Sequence, residues 1–225
     1  MTRFQELFSS LAGSAMARQM QLSDFLGDRG WSVDLTAGEA TFGTDLRYPI
    51  QLLGTESQLN DTWLWAWANP SDLPTTLLEA AEQLRDYGQQ QSVMELSQAN
   101  LDLAVANGHQ LSMVASGLVR KTCYFRGPYE NGALYFLIFG LPAELFQRSP
   151  VERVCTALMQ VLESFEYLDH RVAAETFLQE QGFALSTIGD CLHAVRDDAS
   201  TIDLTFESEG RITEVKGMIP GTASN

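Results

Sequence analysis

The stretch Thr62-Trp63-Leu64-Trp65-Ala66-Trp67-Ala68-Asn69-Pro70 decides how the rest of this chain reads. In a β-strand successive side chains point to opposite faces. Trp63, Trp65 and Trp67 then share one face, and Leu64, Ala66 and Ala68 share the other. Both faces are apolar. A strand with one wet face would alternate apolar with polar, so this one belongs inside a sheet covered on both sides. Pro70 stops it, because proline has no N–H to give to the ladder. Three indoles on one strand face read first as core. The alternative is a pocket in which indoles stack on a planar or sugar ligand. Trp63 and Trp67 are then the ligand-binding candidates, with Asn69 at the strand end as their polar partner.

Upstream, Phe4, Leu7, Phe8, Leu11, Ala15 and Leu22 recur at helical spacing, which predicts a helix over 3–27, broken near Gly13 and ended by Gly27. Trp31, Val33 and Leu35, then Ala40 and Phe42, alternate as in a hairpin. Tyr48 to Leu53 reads as a third strand, and 54–61 as a polar loop. Downstream, Ser71 or Asp72 caps a helix with Pro74 in its first turn and Gly88 at its end. An irregular connector reaches Leu103, and 104–118 holds a short helix. Strands over 119–125 and 133–139 flank the turn-rich loop 127–132. After Pro142 come a helix starting at Ser149-Pro150, a second helix over Asp169 to Gln181, and a hairpin of Thr201–Phe206 with Arg211–Val215. The fold class is α+β: an antiparallel or mixed sheet with the Trp63–Trp67 strand central, helices on at least one face, and C-terminal helices plus a hairpin. The domains read as 1–142 and 150–225, joined at 142–150, the second either separate or packed with the first as one unit.

Composition narrows the function classes. The 225 residues are 45% hydrophobic and 19% charged, enough for a sizeable core and unlike a disordered chain. A net charge of −15 repels phosphate backbones, which argues against nucleic acid as partner. The most apolar run, Ala133 to Pro142, is about half of the roughly 20 residues that a membrane helix needs. No basic segment followed by an apolar run opens the chain, and Cys123, Cys155 and Cys191 are unpaired in number and widely spaced. Both features point to reduced thiols in a cytoplasmic protein. His109, His170 and His193 lie on three separate segments, without metal-ligand spacing, and no phosphate-cradling glycine motif occurs. The expectation is a protein with no cofactor and no metal.

Two further groups carry chemistry. In Asp190-Cys191-Leu192-His193 a strand would put the thiol and the imidazole on one face, as cysteine nucleophiles require. The ordinary reading is a half-buried cysteine beside a surface histidine, and no catalytic residue is assigned. Arg120, Lys121 and Arg126 gather positive charge around one strand, either as edge protection or as an anion site. In the tail, Asp197, Asp198, Asp203 and Glu207 are the candidate face for a basic protein partner, set against the plainer reading of a solvated acidic surface. The function expected is non-enzymatic binding or regulation of a macromolecular partner. The alternative is a small-molecule binder, or a hydrolase, with its pocket beside the tryptophan strand. Oligomeric state is left open.

Ile50-Gln51-Leu52-Leu53-Gly54, the Trp-Leu-Trp-Ala-Trp-Ala-Asn block, Arg85-Asp86-Tyr87-Gly88, and the strands around Tyr124–Pro128 and Tyr135–Leu137 occur in that order. Together they resemble a bacterial family of uncharacterised function, over roughly residues 20–142. The resemblance implies the strand and helix layout of that region and no activity.

Overall fold

The computed structural model describes residues 1–219. The protein is α+β, with two antiparallel sheets and helices packed on them. It divides into two compact units, residues 21–146 and residues 1–20 with 147 onward. Helix α1 (Arg3–Leu26) contributes to both. It ends at Gly27, whose φ of 57° is left-handed and whose N–H donates to the Ser23 carbonyl at 2.8 Å. The expected break at Gly13 does not occur. A Cβ there would lie 2.6 Å from the Phe177 Cβ, so this glycine marks a close approach within a continuous helix.

The unit of residues 21–146 contains β1 (Trp31–Asp34), β2 (Glu39–Phe42), β3 (Leu46–Ser57), β4 (Thr62–Trp65), α2 (Thr75–Gln91), α3 (Met94–Ser97), β5 (Asn100–Asp102), α4 (Gly108–Leu118), β6 (Cys123–Tyr129) and β7 (Gly132–Ile138). Strand β3 organises it. Residues 46–49 pair with β2, 50–57 with β7, and 54–57 with β4. Strand β5 pairs beyond β4, and β6 beyond β7. The register against β7 slips between Leu52 and Gly54. Such a bulge puts an extra residue into one strand, and here Leu52, Leu53 and Gly54 are buried in succession.

The tryptophan strand is interior, between β3 and β5. Trp63 and Trp65 are 0% exposed and meet edge to face at 5.3 Å. The strand is shorter than the sequence predicts. It ends at Trp65, and Ala66–Ala68 form a 3-10 turn closed by the Asn69 N–H on the Ala66 carbonyl at 3.1 Å. Its neighbours explain the stop. β5 has three residues, and β3 offers no partner past Gly54, next to its bulge. Trp67 therefore leaves the face shared by Trp63 and Trp65. The loop expected over 54–61 is in part the far end of β3. Helix α2 starts later than expected, with Pro74 as its N-cap, while the Asn69 side chain accepts the Ser71 N–H at 2.9 Å. Gly88 lies inside α2, where a Cβ would meet the Leu96 Cβ at 2.8 Å, and Ser92 (φ 58°) ends the helix instead.

The other unit holds α5 (Val151–Ser164), α6 (His170–Glu180) and the strands β8 (Ala184–Ile188), β9 (Cys191–Val195), β10 (Thr201–Phe206) and β11 (Ile212–Met218), in sheet order β11-β10-β9-β8. The expected tail hairpin is half of this sheet. Leu192, Ala194, Ile202, Leu204 and Phe206 form one core with Val154, Leu158 and Phe177. Residues 1–20, read from sequence as the start of domain 1–142, fold with these C-terminal elements. Phe8 stands edge-on to Phe165 at 4.9 Å, the Asp169 N–H donates to the Ser9 hydroxyl at 3.0 Å, and Ser14 donates to the Glu180 carboxylate. The apolar side of α1 is covered by segments too distant in sequence for periodicity to reveal.

Trp65 combines full burial with a hydrogen bond from its Nε1 to the Glu95 carbonyl at 3.0 Å. Trp65→Ala is expected to lower unfolding free energy by about 3–5 kcal/mol, as for other buried aromatics. Urea denaturation followed by circular dichroism measures the loss, and a value below about 1 kcal/mol would contradict the packing described.

Candidate functional site

The most concentrated polar chemistry lies on one face of β3, β4, β6 and β7. Registers align Glu56 opposite Trp63, and Arg126 opposite Tyr135, which in turn faces Gly54. Directly opposed residues of antiparallel strands share a face, so these groups converge. The Tyr135 hydroxyl donates to Glu56 Oε2 at 2.9 Å and accepts from Arg126 Nε at 3.1 Å. Beneath it, the Trp63 indole meets the Tyr135 ring at 5.3 Å.

Helix α4 covers this face with its first turn. Asn107 and Gln110 close a capping box there, each side chain bonding the other's backbone N–H at 3.0 Å. Gly108 is required by contact. A Cβ would lie 2.5 Å from Tyr135 Cζ and 2.8 Å from Glu56 Oε2. His109, next along, places its ring edge-on to Tyr135 at 5.6 Å, with its Nδ1 2.9 Å from the Tyr124 hydroxyl.

Burial raises the pKa of both Tyr124 and Tyr135, and the hydrogen bond to Glu56 adds to the effect at Tyr135. Both phenols stay protonated donors near neutral pH. The same surroundings hold His109 below its ordinary value, chiefly by desolvation and then by the charge of Arg126, with Glu56 opposing. The site therefore presents a neutral imidazole, two phenols, one carboxylate and one guanidinium. Among the described residues the terminal nitrogens of Arg126 make no hydrogen bond, and the buried Trp63 Nε1 and Ser112 Oγ have no partner. No three His, Cys, Asp or Glu side chains among the described residues converge as a metal ion would need.

The residues singled out from sequence are distributed unevenly. Trp63 lies under the cluster but is sealed from solvent. Trp67 is half-buried on the 3-10 turn, with the Arg85 guanidinium 5.5 Å from its ring centre. Asn69 is a turn residue, its side chain occupied by the Ser71 N–H. Arg120 and Lys121 are exposed at the turn before β6, while Arg126 sits half-buried in the cluster. Cys191 and His193 do share a strand face, yet His193 pairs with Asp203 at 2.5 Å. The four acids are not brought together. Asp197 meets Arg148 at 3.4 Å, and Asp198 holds Arg196 at 2.7 Å, a pairing that lowers the Asp198 pKa. Asp203 is midway along β10, and Glu207 lies past its far end, across a strand about 17 Å long. The sequence assigns no site role to Glu56, Tyr135 or Tyr124, and His109 enters it only as a histidine without metal-ligand spacing. The available signal is the turn residue Asn131, with φ 64°, which fixes a tight β6–β7 hairpin and sets Arg126 opposite Tyr135.

A family model of unknown function (DUF6882) matches residues 5–141. The chain belongs to that family. All five polar residues of the cluster fall within the DUF6882 region. No curated protein and no solved structure matches the chain.

The depressed His109 pKa gives a pH test. The unfolded chain takes up the proton more readily than the folded one, so the stability involved is present above pH of about 6.5 and is lost as pH falls from there towards the folded value. His170 is shifted in the same direction, by burial and Arg211, so the comparison needs a variant. Urea unfolding at pH 7.5 and 5.5 is expected to show a smaller drop in His109→Gln than in the parent protein. Equal drops would place His109 in a solvated setting.

Proposed function

We propose that the protein is a non-enzymatic binding protein, and that the cluster around Arg126 takes a small organic carboxylate bearing a second hydrogen-bonding group. The Arg126 guanidinium carries this reading. It is half-buried in a strongly acidic chain, its Nε is committed to Tyr135, and its terminal nitrogens make no hydrogen bond among the described residues. A planar guanidinium matches a carboxylate through two parallel hydrogen bonds. Glu56, which gives one oxygen to Tyr135, has a second oxygen for an amine or hydroxyl of the ligand. The neutral His109 ring and the phenols of Tyr124 and Tyr135 add orientation without further charge.

Thermal-shift measurements with a panel of small hydroxy- and amino-carboxylates test it. A ligand present at about 100 times its Kd stabilises the folded chain by about 2.7 kcal/mol. At least one compound is expected to raise the Tm of the parent protein and to lose that effect in Arg126→Gln. No rise, or the same rise in the variant, would overturn the reading.

A basic macromolecular partner is the second reading, favoured by the net charge of −15 and by the exposed carboxylate of Asp197. Its support is weaker, because Asp197 and Asp198 already face arginines. Capture of a basic protein whose yield falls as salt rises is the result expected of it.

A further inference from the structure

The two charges of the polar cluster are balanced, although the chain as a whole carries −15. Among the described residues, Arg126 and Glu56 are the charged side chains that act on the His109 ring, and the same two act on the Tyr135 phenol. His109 and both phenols are neutral, so the local sum is zero. That balance sets a condition on any occupant. A net anion is drawn to Arg126 and repelled by Glu56, and a net cation meets the reverse. A ligand carrying both signs gains at both ends.

The separation of the two charges limits how far apart the ligand's signs lie. Arg126 Nε and Glu56 Oε2 are joined through one phenol oxygen by hydrogen bonds of 3.1 and 2.9 Å, which keeps them within about 6 Å of each other. Tyr135 itself is sealed, whereas Arg126 and Glu56 are half-buried and each keeps a side on solvent. Glu56 Oε2 is the oxygen taken by Tyr135 and covered by Gly108. Glu56 Oε1 and the terminal nitrogens of Arg126 make no hydrogen bond among the described residues, and these are the groups left to a ligand.

A carboxylate and an ammonium borne on one carbon, each with its own hydrogen bond, span a gap of this size. A longer spacer between them has to fold back to do so, and loses rotor freedom on binding. A peptide carries its two terminal charges on different residues and meets the same difficulty. The neutral state of His109 matters as well, because a second cation beside Arg126 would tip the balance towards net anions.

We infer that the ligand of this site is a free α-amino acid, held as its zwitterion, with its carboxylate forked on the Arg126 guanidinium and its ammonium on Glu56. The inference rests on the reading of the cluster as a carboxylate site and narrows it, since the second group is an ammonium and not a hydroxyl.

Thermal shift and isothermal titration with the common L-α-amino acids test it, each compared with its α-hydroxy acid and with the amine left when the carboxylate is removed. At least one amino acid is expected to raise the Tm of the parent protein and to bind about tenfold or more tightly than either analogue, as the loss of one charge-assisted hydrogen bond implies. Glu56→Gln keeps an acceptor for Tyr135 and leaves the site with one net positive charge. It is expected to reverse the preference, weakening the amino acid and strengthening its α-hydroxy analogue, which a purely structural role for Glu56 would not do. A hydroxy acid that binds the parent protein as well as the amino acid does, or a Glu56→Gln protein that keeps the parent's order of preference, would overturn the inference and leave the carboxylate site standing. Binding of neither amino nor hydroxy acids would overturn both.

Discussion

Gly54 is the position on which the N-terminal sheet depends. A Cβ there would come within 2.5 Å of Trp63 Cζ2 and of the Leu64 carbonyl. With only hydrogen at that point, the Trp63 indole lies across β3 and reaches the Tyr135 ring. Tyr135 in turn spans the distance between Arg126 and Glu56. The bulge beside Gly54 turns the register so that Gly54, and not Leu53, stands opposite Tyr135. The polar cluster therefore rests on a large ring at a fixed height, and Gly108 sets the same height from the helix side. Two glycines, one in a strand and one in a helix, leave room for one layer of aromatic rings between them.

This arrangement explains why the Tyr135 hydroxyl can be an ordered link and not a stray buried group. Buried polar atoms are costly unless hydrogen-bonded. Tyr135 meets the requirement with a donor on one side and an acceptor on the other, while its ring is held by Trp63 and His109. Arg126 and Glu56 are kept apart by the phenol between them, so neither charge is cancelled by direct contact. The opposite logic applies at Arg196. That side chain is almost wholly covered, and is used up by Asp198, the Ser149 carbonyl at 2.9 Å and the Phe183 ring at 4.9 Å.

How much of this is legible in the sequence depends on how local each signal is. The tryptophan strand is readable because period-two alternation is written within eight residues. The turn at its last three residues is not, because the stop is set by what β3 and β5 fail to offer, which the strand's own sequence does not contain. Glu56 reads as a loop residue because Gly54 looks like a terminator, whereas its missing side chain serves the Trp63 indole. His109 looks isolated, since its partners Tyr124 and Tyr135 join it only when α4 folds over the sheet. The acidic residues of the tail look like one face on a charge count, yet β10 separates them and nearby arginines claim two.

The division of α1 between the two units has a consequence for the order in which the chain matures. Phe8 packs on Phe165, Gly13 on Phe177, and Ala17 in the core of the last four strands, all elements that begin beyond Gln147. During synthesis at about 5–20 residues per second, those elements leave the ribosome on the order of ten seconds after α1 does. Residues 21–146 can complete their own sheet in that interval, because β7, the last strand to pair with β3, lies at 132–138. The apolar side of α1 must wait, uncovered, while the middle of the protein is already folded.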